Sequence, residues 1–210
     1  LILNIMKKYF LAIVFTLTIL HLKAQDSLFA GKVNFKFIKP SIEGNVWKPK
    51  SYNSELQFNS SESIFFYNKF AMLNGEKEET VLTPQGFGIR ALDADIEGYQ
   101  FYRNFNNEEI FIRIPQKKPL EPVSIEDNWL EINWKIKKGE RKILGYSCQR
   151  AIGEFRGRIY EVWFTKEIPI SSGPWKLFGL PGLILEAKDS KNQIKFIATD
   201  VCYPCASDVE

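Results

Sequence analysis

LEINWKI, residues 130–136, sets apolar Leu130, Ile132, Trp134 and Ile136 against polar Glu131, Asn133 and Lys135 in strict alternation. A period of two places the first four on one face of a strand and the other three on the opposite face. This predicts a half-buried strand with one side on a core and one in water. Outward from this stretch, similar alternation recurs at residues 33–37 and 56–58, and further strands are expected at 63–67, 98–102, 110–114, 158–165, 183–187 and 193–198. Turn chemistry separates these runs at Asn74-Gly75, Lys138-Gly139, Arg156-Gly157 and Asp189-Ser-Lys-Asn192. Short strands at this spacing favour an antiparallel meander over alternating βαβ units. The chain therefore reads as mainly β, an α+β fold with little helix. Its 17 Phe, 8 Tyr and 5 Trp occupy both faces of the strands, so the sheet is expected to curl over an apolar interior as a half-barrel.

Residues 1–24 stand apart from this pattern. Lys7 and Lys8 precede an apolar run from Tyr9 to Leu20, and Ala24 follows as a small residue suited to a signal peptidase. That order predicts a Sec signal peptide, with translation starting at Met6 and the mature chain at about Gln25. The apolar run is too short for a stable membrane span. A periplasmic or secreted protein is expected, with residues 25–210 forming a single β-rich domain. Pro115-Gln-Lys-Lys-Pro-Leu-Glu-Pro122 is the one boundary candidate and reads as a crossover, since pieces of roughly 90 residues on either side would be marginal alone.

Removing the leader takes Lys7, Lys8 and Lys23 from the 28 Lys and Arg, leaving 25 cations against 25 Asp and Glu. A neutral chain without a basic block lacks the footprint of a nucleic-acid binder. The single histidine, His21, lies in the leader as well. Without imidazole, Ser-His-Asp and Cys-His catalysis and His-rich zinc sites drop out. Carboxylate-pair chemistry survives, because two acids can meet in space without a local motif. No catalytic residue, metal ligand or cofactor is assigned.

Near the carboxyl end, Ser171-Ser-Gly-Pro174 predicts a helix start, with Pro174 at the first helical position. Trp175, Lys176, Leu177 and Phe178 would form one turn of helix, and Gly179 would end it. Leu180-Pro-Gly-Leu183 predicts a type II turn, Pro181 fixing φ and Gly182 supplying a positive φ. The short helix should pack across the sheet. Trp175, Leu177, Phe178, Leu180 and Leu183 are the candidate ligand-contact or lid residues, pinned by Gly173, Pro174, Gly179, Pro181 and Gly182. The alternative reading makes the same residues a core-closing element.

Gly179-Leu-Pro-Gly-Leu-Ile184, with Gly173-Pro-Trp-Lys176 and Ile168-Pro-Ile170 before it, resembles the signature of the GLPGLI family of secreted bacterial proteins. Gly145-Tyr-Ser-Cys148-Gln-Arg-Ala151 and Phe155-Arg-Gly-Arg158-Ile-Tyr160-Glu-Val-Trp163-Phe-Thr165 are similar to the rest of that family's pattern, which is dense from Ile143 to Asp189. The resemblance implies export and no defined activity. More loosely, the chain is similar to half-barrel periplasmic proteins that shelter acyl chains under a helical lid, an analogy of fold alone.

Cys148, Cys202 and Cys205 allow three pairings, with one thiol left over. Cys202-Tyr-Pro-Cys205 has the spacing of a thiol–disulfide oxidoreductase, but a catalytic pair of that kind sits at a helix amino end. Asp93-Ala-Asp95-Ile-Glu97-Gly98 copies the opening of a calcium loop and fails where Asn104 replaces the bidentate Glu, so it reads as a solvated turn. Lys137-Lys-Gly-Glu-Arg141-Lys142 reads as a charged hairpin tip. The expected function is a non-catalytic binder or carrier of a lipid, acyl chain or peptide. The alternative is a thiol–disulfide or carboxylate-dependent envelope enzyme, and an assembly subunit would announce itself by a long free edge strand.

Overall fold

A computed structural model describes residues 30–43, 46–67, 80–83, 86–89, 98–116 and 120–205. The expected leader, the Asn74-Gly75 turn and residues 93–97 of the calcium-like loop lie outside these. Thirteen strands are described: β1 (Gly31–Glu43), β2 (Val46–Phe58), β3 (Glu62–Tyr67), β4 (Thr80–Thr83), β5 (Gly86–Ile89), β6 (Tyr99–Asn104), β7 (Glu109–Ile114), β8 (Val123–Asp127), β9 (Lys135–Ile143), β10 (Tyr146–Phe155), β11 (Arg158–Thr165), β12 (Leu183–Asp189) and β13 (Lys195–Cys202). Eleven make one antiparallel sheet in the order β8-β7-β6-β3-β2-β1-β13-β12-β11-β10-β9, and β4 and β5 pair separately. Two meanders are thus joined where β1 lies beside β13, with Phe37 opposite Phe196. Among the described residues there is no helix.

Alternation makes these strands. In β1, Val33, Phe35 and Phe37 are buried while Lys32 and Lys36 face water, and β2 buries Tyr52, Ser54, Leu56 and Phe58 on the same side. Phe37 stacks on Phe196 at 4.5 Å, and Phe65 meets Phe35 and Phe196 edge to face at 6.3 and 5.8 Å. Each such ring, fully withdrawn from water, stabilises the fold by about 1.5–3 kcal/mol. Two-residue turns close two of the hairpins. Arg156 and Gly157 (φ 49° and 72°) join β10 to β11, and Leu144 and Gly145 (φ 51° and 90°) join β9 to β10. Positive φ at both positions is the turn whose twist suits paired strands.

Several expectations are corrected here. Lys138-Gly139 is no hairpin tip: it lies inside β9 as a bulge, Gly139 at φ 129°, where the register with Gln149 and Arg150 shifts. The actual turn uses Leu144, a residue seldom found at positive φ, so it carried no signal.

The second correction concerns residues 130–136. The strand begins only at Lys135, and the predicted common face is split. Ile132 is buried, whereas Leu130 and Ile136 are 41 % and 51 % exposed. The cause is topological. Residues 128–134 connect β8 and β9, the opposite ends of the sheet. Laid flat, ten interstrand spacings of about 4.8 Å would separate those ends by roughly 48 Å, while the eight steps from Asp127 to Lys135 reach at most about 29 Å. The sheet bends until its ends approach, and Arg156 of the β10–β11 turn bonds both carboxylate oxygens of Asp127 in β8 at 2.9 and 2.8 Å. The connector crosses the inner side of β10 at Gly153, where a Cβ would meet Trp134 at 2.6 Å and Ile132 at 2.8 Å.

The expected helix is likewise a turn. Leu177 N–H donates to the Pro174 carbonyl at 3.1 Å, but Trp175 has φ 54°, outside any right-handed helix. Around Pro181 the chain makes a three-residue turn, Gly182 N–H to the Leu180 carbonyl at 2.8 Å, and Leu183 N–H is drawn to the Ile168 carbonyl at 3.1 Å instead of closing a type II turn.

Candidate binding groove

Residues 168–182 form an irregular strap fastened to the sheet. Leu177, Leu183 and Ile168 are fully buried, and Leu180 and Phe178 nearly so. Ile184 N–H donates to the Ser172 carbonyl at 2.9 Å. Gly173 and Gly182 are required by close approach: a Cβ at Gly173 would stand 2.7 Å from the Leu177 carbonyl oxygen, and one at Gly182 would overlap the Thr165 carbonyl. Pro174 is buried beside them.

The strongest fastening comes from Arg103 on β6, which is 1 % exposed. Its Nε donates to Ser63 Oγ at 3.1 Å, one terminal nitrogen to the Leu177 carbonyl at 3.4 Å, and the other to Ser172 Oγ at 3.3 Å and the Gly173 carbonyl at 2.7 Å. All four partners are neutral oxygens. Burial brings the guanidinium down to about 9, which leaves it charged at neutral pH. Lys176, 7 % exposed, adds a second fastening through Asp127 at 2.5 Å. Burial alone would raise the Asp127 carboxyl, but Lys176 and then Arg156 outweigh it and hold the group below its ordinary range.

Trp175 takes part in this packing. The half-buried indole meets Phe155 at 5.7 Å and Tyr160 at 6.4 Å, and the Lys176 ammonium lies 5.8 Å from its ring. The strap's apolar side chains are spent on the sheet. Of the predicted motif residues, Gly179 and Pro181 face water.

Those two open onto a groove of about 530 Å³ lined by Glu131, Ile132, Asn133, Trp134, Ile136, Gly179, Leu180 and Pro181. Trp134 is its fixed point. The indole Nε1–H donates to the Phe178 carbonyl at 2.7 Å, and a Cβ placed on Gly179 would lie only 3.7 Å from the same ring. Gly153 admits the ring from the other side. Ile136 supplies an exposed apolar wall, and Glu131 and Asn133 a polar rim. One carboxylate lines the groove, so the facing pair that glycoside hydrolysis needs is not assembled there.

Two further hollows lie outside the groove and share Ile152 and Ile159. Asp189, which borders one of them, is engaged structurally: it accepts from Arg158 at 2.6 Å and from the Gln193 and Ile194 amides at 2.7 and 2.8 Å. Among the described residues, no three His, Cys, Asp or Glu side chains gather as metal ligands.

The cysteines resolve into a Cys202–Cys205 disulfide at the end of β13 and a free, buried Cys148. Burial pushes the Cys148 thiol up to about 11 against the pull of Arg141. Among the described residues, no helix amino end faces the Cys202–Cys205 pair to supply the dipole that activates a catalytic thiol.

Sequence reasoning missed Arg103, Lys176, Asp127 and Arg156, and it put Trp134 in a strand. Arg103 was accessible to parity: two residues from Phe101 in one strand, it must share that ring's inward face. Asp127 and Arg156 lie 29 positions apart and meet only through the bend of the sheet.

Residues 155–186 match the model of a family described as a protein of unknown function (Porph_ging). The span begins at the end of β10 and includes the Gly179-Leu-Pro-Gly-Leu-Ile184 run. No curated protein matches the chain. Two solved structures of PNGF-II do. One, in space group P21, superposes with a TM-score of 0.57 at 20 % identity, covering 85 % of this chain and 29 % of that one. The other, in space group C2, gives 0.54 at 22 % identity, again covering 85 % and 29 %. The likeness is one of fold. This chain spans under a third of the length of the PNGF-II chains it matches.

Proposed function

We propose that this protein is an exported, non-catalytic binder of an apolar ligand or partner, of the GLPGLI kind, acting in the periplasm or outside the cell. The observation that carries this reading is the Trp134 groove. A large aromatic ring held by its own N–H at the Phe178 carbonyl presents apolar surface without losing side-chain freedom on binding. Ile136 and Pro181 extend that surface, and Glu131 and Asn133 orient what enters. The volume, about 530 Å³, suits a small ligand or one or two side chains of a larger one. Arg103 and Lys176 keep the groove preformed by fixing the strap behind it. In this half-barrel the strap residues Trp175, Leu177, Phe178 and Leu180, with Leu183 of β12, support the groove wall from behind.

Exclusion of imidazole from residues 25–210 supports a binding role over acid–base catalysis. The occurrence of the fold within the longer PNGF-II chains supports a modular one. The test is a titration with hexadecanoate followed by tryptophan emission. Trp134→Ala is expected to weaken binding at least about tenfold, while Ile159→Ala on the outer hollow leaves it unchanged. Equal binding by wild type and Trp134→Ala, or no saturable binding by either, overturns the reading.

A further inference from the structure

The groove ends beside β9, the last strand of the sheet, which among the described residues pairs with β10 alone. Its outer edge therefore carries unsatisfied backbone N–H and C=O groups, a template for another strand. Lys135, Lys137, Lys138, Arg141 and Lys142 stand along it against the single acid Glu140. Arg141 is engaged with Glu186 at 2.5 Å and lies 4.3 Å from the Trp163 ring, whereas Lys135, Lys137, Lys138 and Lys142 are exposed. The other free edge, β8, is shorter and acidic, with Glu126 and Asp127. Exposed apolar Ile136 connects the ladder to the Trp134 groove.

We propose that β9 is a docking edge for an extended acidic peptide, which adds a strand to the sheet and drops one apolar side chain into the Trp134 groove. This rests on the groove being a binding site and names the partner class. Backbone pairing supplies the attachment, the lysines select acidic side chains and steer the encounter, and the groove reads one residue. The same lysines repel a second β9 edge, so the edge stays open to an acidic partner and closed to its own copy. The β8 edge is shorter and carries no lysine or arginine to match an acidic strand, so the peptide is directed to β9.

The experiment uses the full chain and a blocked peptide of alternating valine and glutamate, about eight residues long, with hydrogen exchange read across the protein. Protection is expected at the amides of residues 135–143, with affinity falling about tenfold or more between about 50 and about 300 mM salt. The triple variant Lys137→Glu, Lys138→Glu, Lys142→Glu should lose at least about tenfold in peptide affinity while still taking up hexadecanoate, because these side chains lie outside the groove. A peptide of the same charge with proline at every valine cannot complete the ladder and should not bind. The proposal is overturned if the charge-reversed variant or the proline peptide binds as well as its reference, if protection falls elsewhere, or if a duplex DNA probe protects β9 equally. Protection that rises with protein concentration and without peptide would assign the edge to a second copy, and also overturns it. In the unaltered chain, no peptide binding with hexadecanoate uptake intact counts against the strand alone; absence of both counts against the groove reading.

Discussion

Arg103 Nη2 lies 2.7 Å from the carbonyl oxygen of Gly173, so a cation rooted in β6 holds a strap that the chain reaches 70 residues later. A positive charge buried to 1 % exposure among neutral oxygens is retained only where those oxygens need a donor. Arg103→Ala leaves the Gly173 and Leu177 carbonyls without it. The loss should be roughly 2–6 kcal/mol, from about 1–3 kcal/mol for each orphaned buried acceptor. Urea unfolding gives the size, and limited proteolysis should show first cuts within residues 171–178. Wild-type stability in this variant would mean that the strap is held by its apolar side chains alone.

Asp127 predicts an acid-labile clasp. Its carboxyl is held below its ordinary range, so the folded protein binds that proton less readily than the unfolded chain does. The stabilisation is therefore complete above about pH 4 and disappears as pH falls through the folded value. Asp127→Asn should flatten the decline of melting temperature below about pH 5. At pH 7 it should cost about 1–3 kcal/mol, because Lys176 stays buried without its carboxylate. Thermal unfolding of both proteins from pH 3 to pH 8 decides the matter, and parallel curves would remove Asp127 from the account.

Cys148 should be silent toward thiol reagents. It is 1 % exposed and its thiol titrates near 11, so at pH 8 both access and thiolate are scarce. With Cys202 and Cys205 joined, Ellman's reagent should count no thiol in the native protein and one after unfolding without reductant. A thiol that reacts rapidly in the native state contradicts the burial.

Gly182 and Gly145 separate two reasons for glycine. Gly145 has φ 90° and nothing within 4 Å of a Cβ, so Gly145→Ala meets only backbone strain, about 1–2 kcal/mol. Gly182→Ala drives a methyl into the Thr165 carbonyl. It should add overpacking of about 1–3 kcal/mol and disturb the Pro181 wall of the groove. Melting temperatures rank the two variants, and an equal effect would refute the close approach at Thr165.

Much of the sheet was legible because local periodicity is what a strand is. Residues 33–37 and 158–165 fall within β1 and β11, and the run 193–198 overlaps β13 from Lys195 onward. Residues 130–136 alternate just as clearly and are mostly not strand. Their side chains are sorted by the need to cross from β8 to β9, a demand that arises only once the strand order exists. β9 was hidden for the opposite reason: an exposed edge has no buried face to impose a period. The strap was located by its glycines and prolines, but its form depends on Arg103 and on Trp175 adopting φ 54°. Neither can be inferred from neighbours in sequence.

The pairing of β1 with β13 brings Ala30 and Cys205 together, the Cys205 amide donating to the Ala30 carbonyl at 3.0 Å. Polypeptide thus enters and leaves this body at a single doorway. A unit so wired can be spliced into a host protein as a cassette, because the host needs to bridge only a few ångströms to accommodate it.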